Sequence, residues 1–254
     1  MPILAFHNIA ESFLAGLNSY SPTRLKRLLL TLRDGGCEFV GLAALRHGQN
    51  DAGNIAVTFD DGYESLPDKA LPVLEELNIP VAVFIPTGCI GQANTWDYSY
   101  FYQPLKHLDT GRIKEIADRG VTVGSHGMTH TDLTALPERR LKLEMKQSRN
   151  ILEDITGRKV LYVSYPFGRF DDRVESAALE AGYERGFSMS HMKAGGTGFT
   201  RPRYAVYATD TPFSVRVKIR DTGVMNRLER IKGAVMNGYA GGTILLNRIR
   251  RKKY

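Results

Sequence analysis

The chain has 254 residues, of which 43% are hydrophobic and 24% are charged, and it carries a formal net charge of +7. This composition excludes a largely disordered chain, and no apolar run approaches the ~20 residues that a membrane-spanning helix needs. Seven basic residues and no acidic one lie within residues 230–254, so the rest of the chain is formally neutral, which argues against a nucleic-acid-binding domain.

Short apolar runs rich in β-branched residues alternate with amphipathic stretches along the chain. The predicted strands cover residues 3–6, 38–42, 55–59, 80–85, 121–124, 160–165, 183–189 and 203–207. The predicted helices cover residues 21–33, 65–77, 137–156 and 171–181, with a weaker helical pattern over residues 213–218. Such alternation indicates a parallel sheet, and about eight units in ~210 residues favour a closed or nearly closed (β/α) barrel. We expect one domain over residues 1–229, followed by a basic extension over residues 230–254.

Chemically active residues follow several of the predicted strands, where (β/α) barrels collect their catalytic groups. These strand ends carry His7, Asp60, Asp61, Ser125, His126, Tyr165 and Pro166. Because Gly62 lets the chain turn, both carboxylates can face one cavity, where they repel unless a cation or a shared proton compensates. One carboxylate would then bind a metal while the other stays free as a base.

His126 and His130 are four residues apart, a spacing that lets both imidazoles reach one metal ion. Two histidines and one carboxylate leave coordination positions open for water and substrate, as a catalytic site requires. Taken alone, the acidic pair also fits a polar turn, and the histidines fit an exposed pair. Their joint occurrence at strand ends of one predicted barrel favours a shared site.

These residues resemble the motifs of the polysaccharide deacetylases of the NodB-homology type, a family of metal-dependent carbohydrate esterases. Residues 58–62 match the first motif, T-F-D-D-G, and residues 125–130 match the second, S-H-x-x-x-H. Residues 165–168 resemble most of the third, R-x-P-[FY], and residues 3–7 are similar to the L-x-Y-H start of members from exopolysaccharide pathways. The resemblance extends over roughly residues 3–208.

The resemblance implies a distorted, incomplete (β/α) barrel that removes N-acetyl groups from the amino sugars of a polysaccharide or its precursor. By position, Asp61, His126 and His130 would hold a divalent metal ion, commonly zinc, although cobalt, nickel and manganese also suit these ligands. Asp60 would act as the general base, and the backbone N–H of Phe167 would stabilise the oxyanion. The expected products are acetate and a free amino sugar.

The third motif departs from the family pattern at its first position. The family has an arginine there that orients the base, whereas this chain has Ser164. The missing guanidinium could come from Arg169, Arg201 or Arg203. Without it, the alternative is a barrel that binds glycan or metal and does not turn over.

The proton donor for the leaving amine is also open. The family's later L-x-H motif, which supplies the general acid, has no counterpart here, and His191 is the one histidine after His130. His191 follows the seventh predicted strand and is either this acid or a surface-loop residue. The rival proton donor is His7, at the end of the first predicted strand.

Residues 96–102 form an aromatic-rich stretch after the fourth predicted strand. Because sugars stack on aromatic faces, we expect Trp96 to contact an acetylated amino-sugar glycan, together with Tyr165 and Pro166 of the third motif. The stretch would otherwise be an insertion packed against the barrel. The same site could remove O-acetyl groups, because ester and amide hydrolysis share a tetrahedral intermediate.

The cellular location is predicted from what the sequence lacks. Two cysteines, Cys37 and Cys89, cannot form a disulfide scaffold, and the first residues have neither the basic segment nor the apolar segment of a secretory signal. We therefore expect a cytoplasmic protein that meets a glycan precursor before export. The basic extension is either a solvated terminus or a tether to an anionic membrane surface.

Overall fold

The computed structural model describes residues 1–11, 18–47, 53–94, 105–189 and 198–220. Trp96, His191 and the basic extension over residues 230–254 lie outside these ranges, so the roles predicted for them stay predictions. Within the described ranges, none of the helices has both the length and the hydropathy needed to cross a lipid bilayer.

The described ranges contain ten strands, and seven of these form a closed barrel of parallel strands. In chain order the strands are β1 (Ile3–Phe6), β2 (Asn8–Ile9), β3 (Ser19–Tyr20), β4 (Glu38–Phe39), β5 (Asn54–Phe59), β6 (Val81–Ile85), β7 (Thr122–Ser125), β8 (Tyr162–Ser164), β9 (Arg185–Met189) and β10 (Thr200–Ala205). The barrel runs in the order β1, β10, β9, β8, β7, β6, β5, and it closes because β5 pairs directly with β1. β4 extends the sheet beyond β5, and β2 pairs with β3 apart from the barrel. The predicted distorted (β/α) barrel is therefore confirmed.

Helices connect the strands and pack on the outside of the barrel. In chain order the described helices are α1 (Pro22–Asp34), α2 (Leu71–Glu76), α3 (Thr110–Asp118), α4 (Glu138–Thr156), α5 (Asp172–Glu180) and α6 (Pro212–Arg220). A π-helical turn over Leu66–Ala70 leads into α2, and 3-10 turns cover Leu42–His47, Thr87–Cys89, Leu133–Ala135 and Pro166–Gly168. Helix α1 begins where the Ser21 hydroxyl accepts a hydrogen bond from the Arg24 N–H, and α4 ends at Gly157 in the left-handed conformation.

The barrel interior is filled by side chains. One buried cluster contains Ile3, Leu42, Ala56, Ala82, Phe84, Tyr162 and Phe187. The rings of Phe84 and Phe187 lie 5.4 Å apart between centroids. Gly124 on β7 makes room for them, because a Cβ there would lie 2.5 Å from two atoms of the Phe84 ring. Strands β1, β5 and β6 are buried along their whole length, which explains why β1 and β6 contain apolar residues only.

Two strands differ from their predicted bounds by three residues at one end, whereas the others differ by two residues or fewer. β10 spans Thr200–Ala205 rather than residues 203–207, because its polar first half is also paired. Arg203, the first residue of the predicted strand, is fully buried within β10. The predicted strand over residues 38–42 shortens to Glu38–Phe39, since the chain soon turns into a 3-10 segment.

The sequence pattern predicts neither the β2–β3 pair nor helix α3. Each of those strands has only two residues, too few to show a period. Helix α3 has a short apolar stripe and depends on its cap, in which the Asp109 carboxylate accepts a hydrogen bond from the Arg112 N–H.

Parallel strands bring the predicted site residues to one end of the barrel. The residues that directly follow β1, β5, β7 and β8 there are His7, Asp60, Asp61, His126 and Tyr165. The pairing of β1 with β5 continues past the strand ends, where the Asp60 N–H donates to the Phe6 carbonyl at 2.9 Å. The backbone therefore fixes the position of the acidic pair relative to β1.

Replacing Gly124 by Ala should lower the free energy of unfolding by about 1–3 kcal/mol, because the added methyl overlaps the Phe84 ring in a packed interior. Urea unfolding followed by circular dichroism measures the change. Gly41→Ala is the matched control, since a Cβ there makes an ordinary contact, 3.6 Å from the Pro80 Cβ. Equal losses in the two variants would contradict a tightly filled interior.

Candidate active site

The three predicted metal ligands, Asp61, His126 and His130, lie together at the carboxyl end of the barrel strands. One ligand atom from each lies within 4.8 Å of the others, and all three are buried. Asp61 Oδ1 is 3.2 Å from His130 Nε2 and 3.6 Å from His126 Nε2. That oxygen has no hydrogen-bond partner of normal geometry within the described ranges. A carboxylate oxygen facing two imidazole nitrogens is a donor set that fits one divalent cation.

Asp61 and His130 both adopt left-handed backbone conformations, with φ of 67° and 47°. For residues other than glycine this costs on the order of 1–2 kcal/mol each, so neighbouring groups must hold them. At Asp61 the buried His107 does so: its Nδ1–H donates to the Asp61 carbonyl at 2.7 Å, and its ring stacks on Tyr63. Burial lowers the pKa of His107, which favours the neutral ring. The sequence analysis missed His107 because no motif surrounds it.

The orientation of the His126 ring is fixed by a hydrogen bond from its Nδ1 atom. Its Nδ1–H donates to the backbone carbonyl of Ser164 at 2.7 Å, which leaves Nε2 with its lone pair facing Asp61. Burial lowers the pKa of His126 to about 4, so the ring is neutral at physiological pH. Histidines that bind metals commonly have such a partner on the second nitrogen, because it fixes the tautomer and the ring orientation.

The loop between the two histidines is held by Glu144 of α4, a second residue that the sequence analysis missed. Its carboxylate accepts hydrogen bonds from the backbone N–H of Met128 at 2.8 Å and of Thr129 at 3.0 Å, and from the Thr129 hydroxyl. Gly88 holds the other side of the loop by donating to the Met128 carbonyl at 2.8 Å. Glu144 lies on the buried stripe of α4, three residues after Leu141, and this position in the sequence could have identified it.

The acid beside the triad, Asp60, forms a bidentate ion pair with Arg203. Arg203 Nη1 and Nη2 donate to Asp60 Oδ1 and Oδ2 at 2.7 and 2.6 Å. Nη2 also donates to the Ser164 hydroxyl at 2.6 Å, and Nη1 donates to the Thr58 hydroxyl at 3.0 Å. Burial by itself would raise the pKa of Asp60, but Arg203 and nearby imidazoles lower it below its ordinary value. The carboxylate is therefore ionised and held in one orientation.

The guanidinium missing from the third motif thus comes from β10. Of the three predicted candidates, Arg203 contacts the base, whereas Arg169 pairs with Asp132 at 3.2 Å and Arg201 lines a cavity at the other end of the barrel. Ser164 is small enough to leave space for the Arg203 side chain, and its hydroxyl is part of the same hydrogen-bond network.

Phe167 is the third residue of the site with an unusual backbone, at φ 60° and ψ 7°. Its ring lies edge-on to the His130 ring, with 4.9 Å between centroids, so the third motif reaches the metal-ligand triad. Pro166 is buried and begins the turn that carries Phe167. The oxyanion role of the Phe167 N–H and the substrate contact of Pro166 stay predictions.

The predicted contact of Tyr165 with substrate is wrong for its side chain. The ring is fully buried and stacks on Phe170 with 5.4 Å between centroids, and its hydroxyl lies 3.3 Å from the Thr200 hydroxyl. Successive residues of a strand point to opposite faces, so Tyr165 points away from the side on which Ser164 meets Asp60. Its role is to pack between β8 and the outer layer.

His7 lies near both carboxylates. A positive charge on this half-buried ring would lower the pKa of Asp60 and of Asp61, so the ring is within electrostatic range of both. This location is compatible with the predicted proton donor, and that role stays a prediction.

Comparison with known proteins agrees with this geometry. A family model described as polysaccharide deacetylase matches residues 47–186, more than half of the chain. The chain is 28% identical over 132 residues to YxkH of Bacillus subtilis (strain 168), a match that covers 52% of this chain and 43% of that protein. It is 23% identical over 145 residues to the poly-β-1,6-N-acetyl-D-glucosamine N-deacetylase of Staphylococcus aureus, covering 54% and 48%. The chain therefore spans about half the length of these curated relatives.

A solved structure extends the similarity over most of the barrel. The polysaccharide deacetylase BC0361 from Bacillus cereus superimposes with a TM-score of 0.70 at 25% identity. The match covers 86% of this chain and 68% of that one.

Replacing Arg203 by Gln should lower the free energy of unfolding by about 3–5 kcal/mol, because it leaves Asp60 charged and buried without compensation. Adding Asp60→Asn to this variant should restore part of the loss. Urea unfolding at neutral pH measures both. The control Arg169→Gln removes a half-exposed partner of Asp132 and should cost at most about 1 kcal/mol. If both arginine variants lose the same amount, the buried pair is not the stabilising contact.

Replacing Glu144 by Gln should weaken Zn²⁺ binding about 10- to 100-fold, because an amide cannot accept all the hydrogen bonds that position the loop carrying His130. Competition with a chromophoric chelator measures the affinity. Glu138→Gln on the same helix is the control, since Glu138 is exposed and pairs only with Lys142. An unchanged Zn²⁺ affinity in the Glu144 variant would show that the loop holds its shape without the carboxylate.

Proposed function

Because the chain belongs to the polysaccharide deacetylase family, we propose that it is a metal-dependent hydrolase that removes N-acetyl groups from the amino sugars of a polysaccharide or its precursor. The observation that carries this proposal is an ionised, oriented carboxylate, Asp60, directly beside the buried triad of Asp61, His126 and His130. The name of the Staphylococcus aureus relative supports an N-acetylglucosamine polymer as the substrate class.

The triad would hold one divalent ion, which we propose to be Zn²⁺ because nitrogen and carboxylate ligands suit it; Co²⁺, Ni²⁺ and Mn²⁺ fit the same donors. The ion, when bound, lowers the pKa of a water molecule and polarises the acetyl carbonyl. Two features of the triad fit a bound divalent ion. Asp61 Oδ1 is buried without a hydrogen-bond donor in the described ranges, and the Nε2 of His126 has its lone pair available.

Asp60 would accept the proton of the attacking water. Arg203 keeps this carboxylate ionised and orients it, because both carboxylate oxygens are hydrogen-bonded to the guanidinium. Proton transfer to a positioned base contributes about 10²- to 10⁴-fold in rate. The Phe167 N–H would donate to the oxyanion, a contribution of about 3 kcal/mol in comparable sites.

His7 would then donate a proton to the leaving amine, so that acetate and a free amino sugar are released. Its place at the end of β1, within electrostatic range of both carboxylates, favours it over residues on other strand ends. The alternative of a non-catalytic glycan-binding barrel was motivated by the missing arginine of the third motif. Arg203 supplies that guanidinium from another strand, which favours catalysis.

Protein loaded with Zn²⁺ should release acetate from oligomers of N-acetylglucosamine, and chelation should abolish the release until metal is added back. Asp60→Asn should lower the rate about 10²- to 10⁴-fold while Zn²⁺ still binds, because only the base is lost. Enzymatic detection of acetate measures the rate, and Zn²⁺ content is measured in parallel.

Asp118→Asn is the control for the change of charge, since this carboxylate is exposed and ends α3 before β7 begins, whereas His126 follows the opposite end of β7. Acetate release from O-acetylated oligosaccharides alone would replace the N-deacetylase with an O-deacetylase. No release from either substrate by folded, metal-loaded protein, or full activity of Asp60→Asn, would contradict the proposed function.

A further inference from the structure

A second cavity, of about 690 Å³, lies at the end of the barrel opposite the metal-ligand triad. Its walls come from residues that precede β1 and β4, from Gly53 and Ile55 at the start of β5, from five residues between 198 and 204 along β10, and from the second half of α6. The site residues that belong to β1 and β5, which are His7, Asp60 and Asp61, follow the opposite ends of those strands, and Arg203 of β10 is not among the lining residues. The cavity is therefore separate from the candidate active site.

Three arginines line this cavity: Arg201 from β10, and Arg216 and Arg220 from α6. None of its described lining residues is acidic. Among the described residues, the three guanidinium groups make no ion pair and no hydrogen bond with the protein, unlike Arg203 or Arg169. Three positive charges thus line one concave space in which none of the described lining residues carries a negative charge.

Two of these guanidinium groups, those of Arg216 and Arg220, lie near Cys37 in the cavity wall. The guanidinium carbon of Arg216 lies 3.3 Å from where a Cβ of Gly35 would be, at the carboxyl end of α1. Cys37 lies two residues further on. Burial raises the pKa of the Cys37 thiol, and the positive charges of Arg216 and Arg220 both act on it in the opposite direction. Both groups are therefore within electrostatic range of one sulfur atom.

We propose that this cavity binds the phosphate or diphosphate group of an organic phosphate ester. Planar guanidinium groups form paired, charge-assisted hydrogen bonds with phosphate oxygens, and several of them together match a multiply charged group. The volume is within the range of small-molecule sites, and the apolar side chains of Ile55, Ile219 and Pro202 in the wall suit the organic part of the ester. This site goes beyond the proposed hydrolysis and does not depend on it.

Cys37 provides a reporter inside the cavity, and Cys89 provides an internal reference near the other end of the barrel. Inorganic pyrophosphate should slow the alkylation of Cys37 by iodoacetamide in the full chain, because the bound anion shields the thiol and disfavours the thiolate. Alkylation of Cys89 should not change. Mass spectrometry of the two cysteine peptides over time gives both rates. Unchanged Cys37 alkylation at saturating pyrophosphate would overturn the proposal.

The double variant Arg216→Gln and Arg220→Gln should raise the dissociation constant for pyrophosphate about tenfold or more in isothermal titration calorimetry. The matched control removes the same charge from two exposed arginines outside the cavity, Arg139 and Arg158, again as glutamine. It should bind as the wild type does. Equal weakening in both double variants would show a general charge effect and overturn the site.

A third measurement distinguishes a lipid headgroup from a soluble phosphate ester as the source of the phosphate group. Vesicles of phosphatidylcholine with and without phosphatidylglycerol are sedimented with the wild type and both double variants. Anion-dependent sedimentation that is reduced only in the Arg216 and Arg220 variant identifies a lipid headgroup. Pyrophosphate binding that is lost in that variant, with equal sedimentation of all three proteins, identifies a soluble phosphate ester. Absence of both pyrophosphate binding and a variant-specific loss of sedimentation overturns the proposal.

Discussion

The buried ion pair between Arg203 and Asp60 is the interaction on which the candidate site depends. A carboxylate inside a filled barrel stays ionised only if a partner compensates its charge, and Arg203 does so with two hydrogen bonds. The pair also connects β10 with β5 across β1, because β1 lies between these two strands in the ring. Strand pairing and the chemistry of the base are therefore supported by one contact.

Each group around the triad is held by a second group behind it. His107 fixes the strained Asp61 backbone, the Ser164 carbonyl fixes the His126 ring, and Glu144 fixes the loop that leads to His130. These supports are buried and come from different elements, so each restricts the position of one ligand side chain independently of the others. A preorganised site of this kind avoids much of the ordering cost that binding would otherwise incur.

The sequence was sufficient for the barrel class and for the triad, because both leave local signals: an alternation of strands and helices, and short motifs at strand ends. It was not sufficient for the choice among three arginines, since Arg203 meets Asp60 across 143 residues of chain. His107 and Glu144 form hydrogen bonds with backbone carbonyl and N–H groups. Every residue has such groups, so no sequence motif marks these contacts. Tyr165 was misassigned because a motif marks a segment, whereas strand alternation decides which of its side chains faces the site.

The position of Arg203 in the last barrel strand has a consequence for a chain that is still being synthesised. All three proposed metal ligands have left the ribosome once residue 130 has emerged, yet the counter-charge for Asp60 arrives only with β10. The family model match ends at residue 186, before this strand begins. A chain that stops short of β10 would contain the three proposed metal ligands, but Asp60 would be unpaired and β1 would keep only β5 as a neighbour. Under the proposed function, the groups that would bind the metal and the group that orients the base are thus completed at different moments of synthesis.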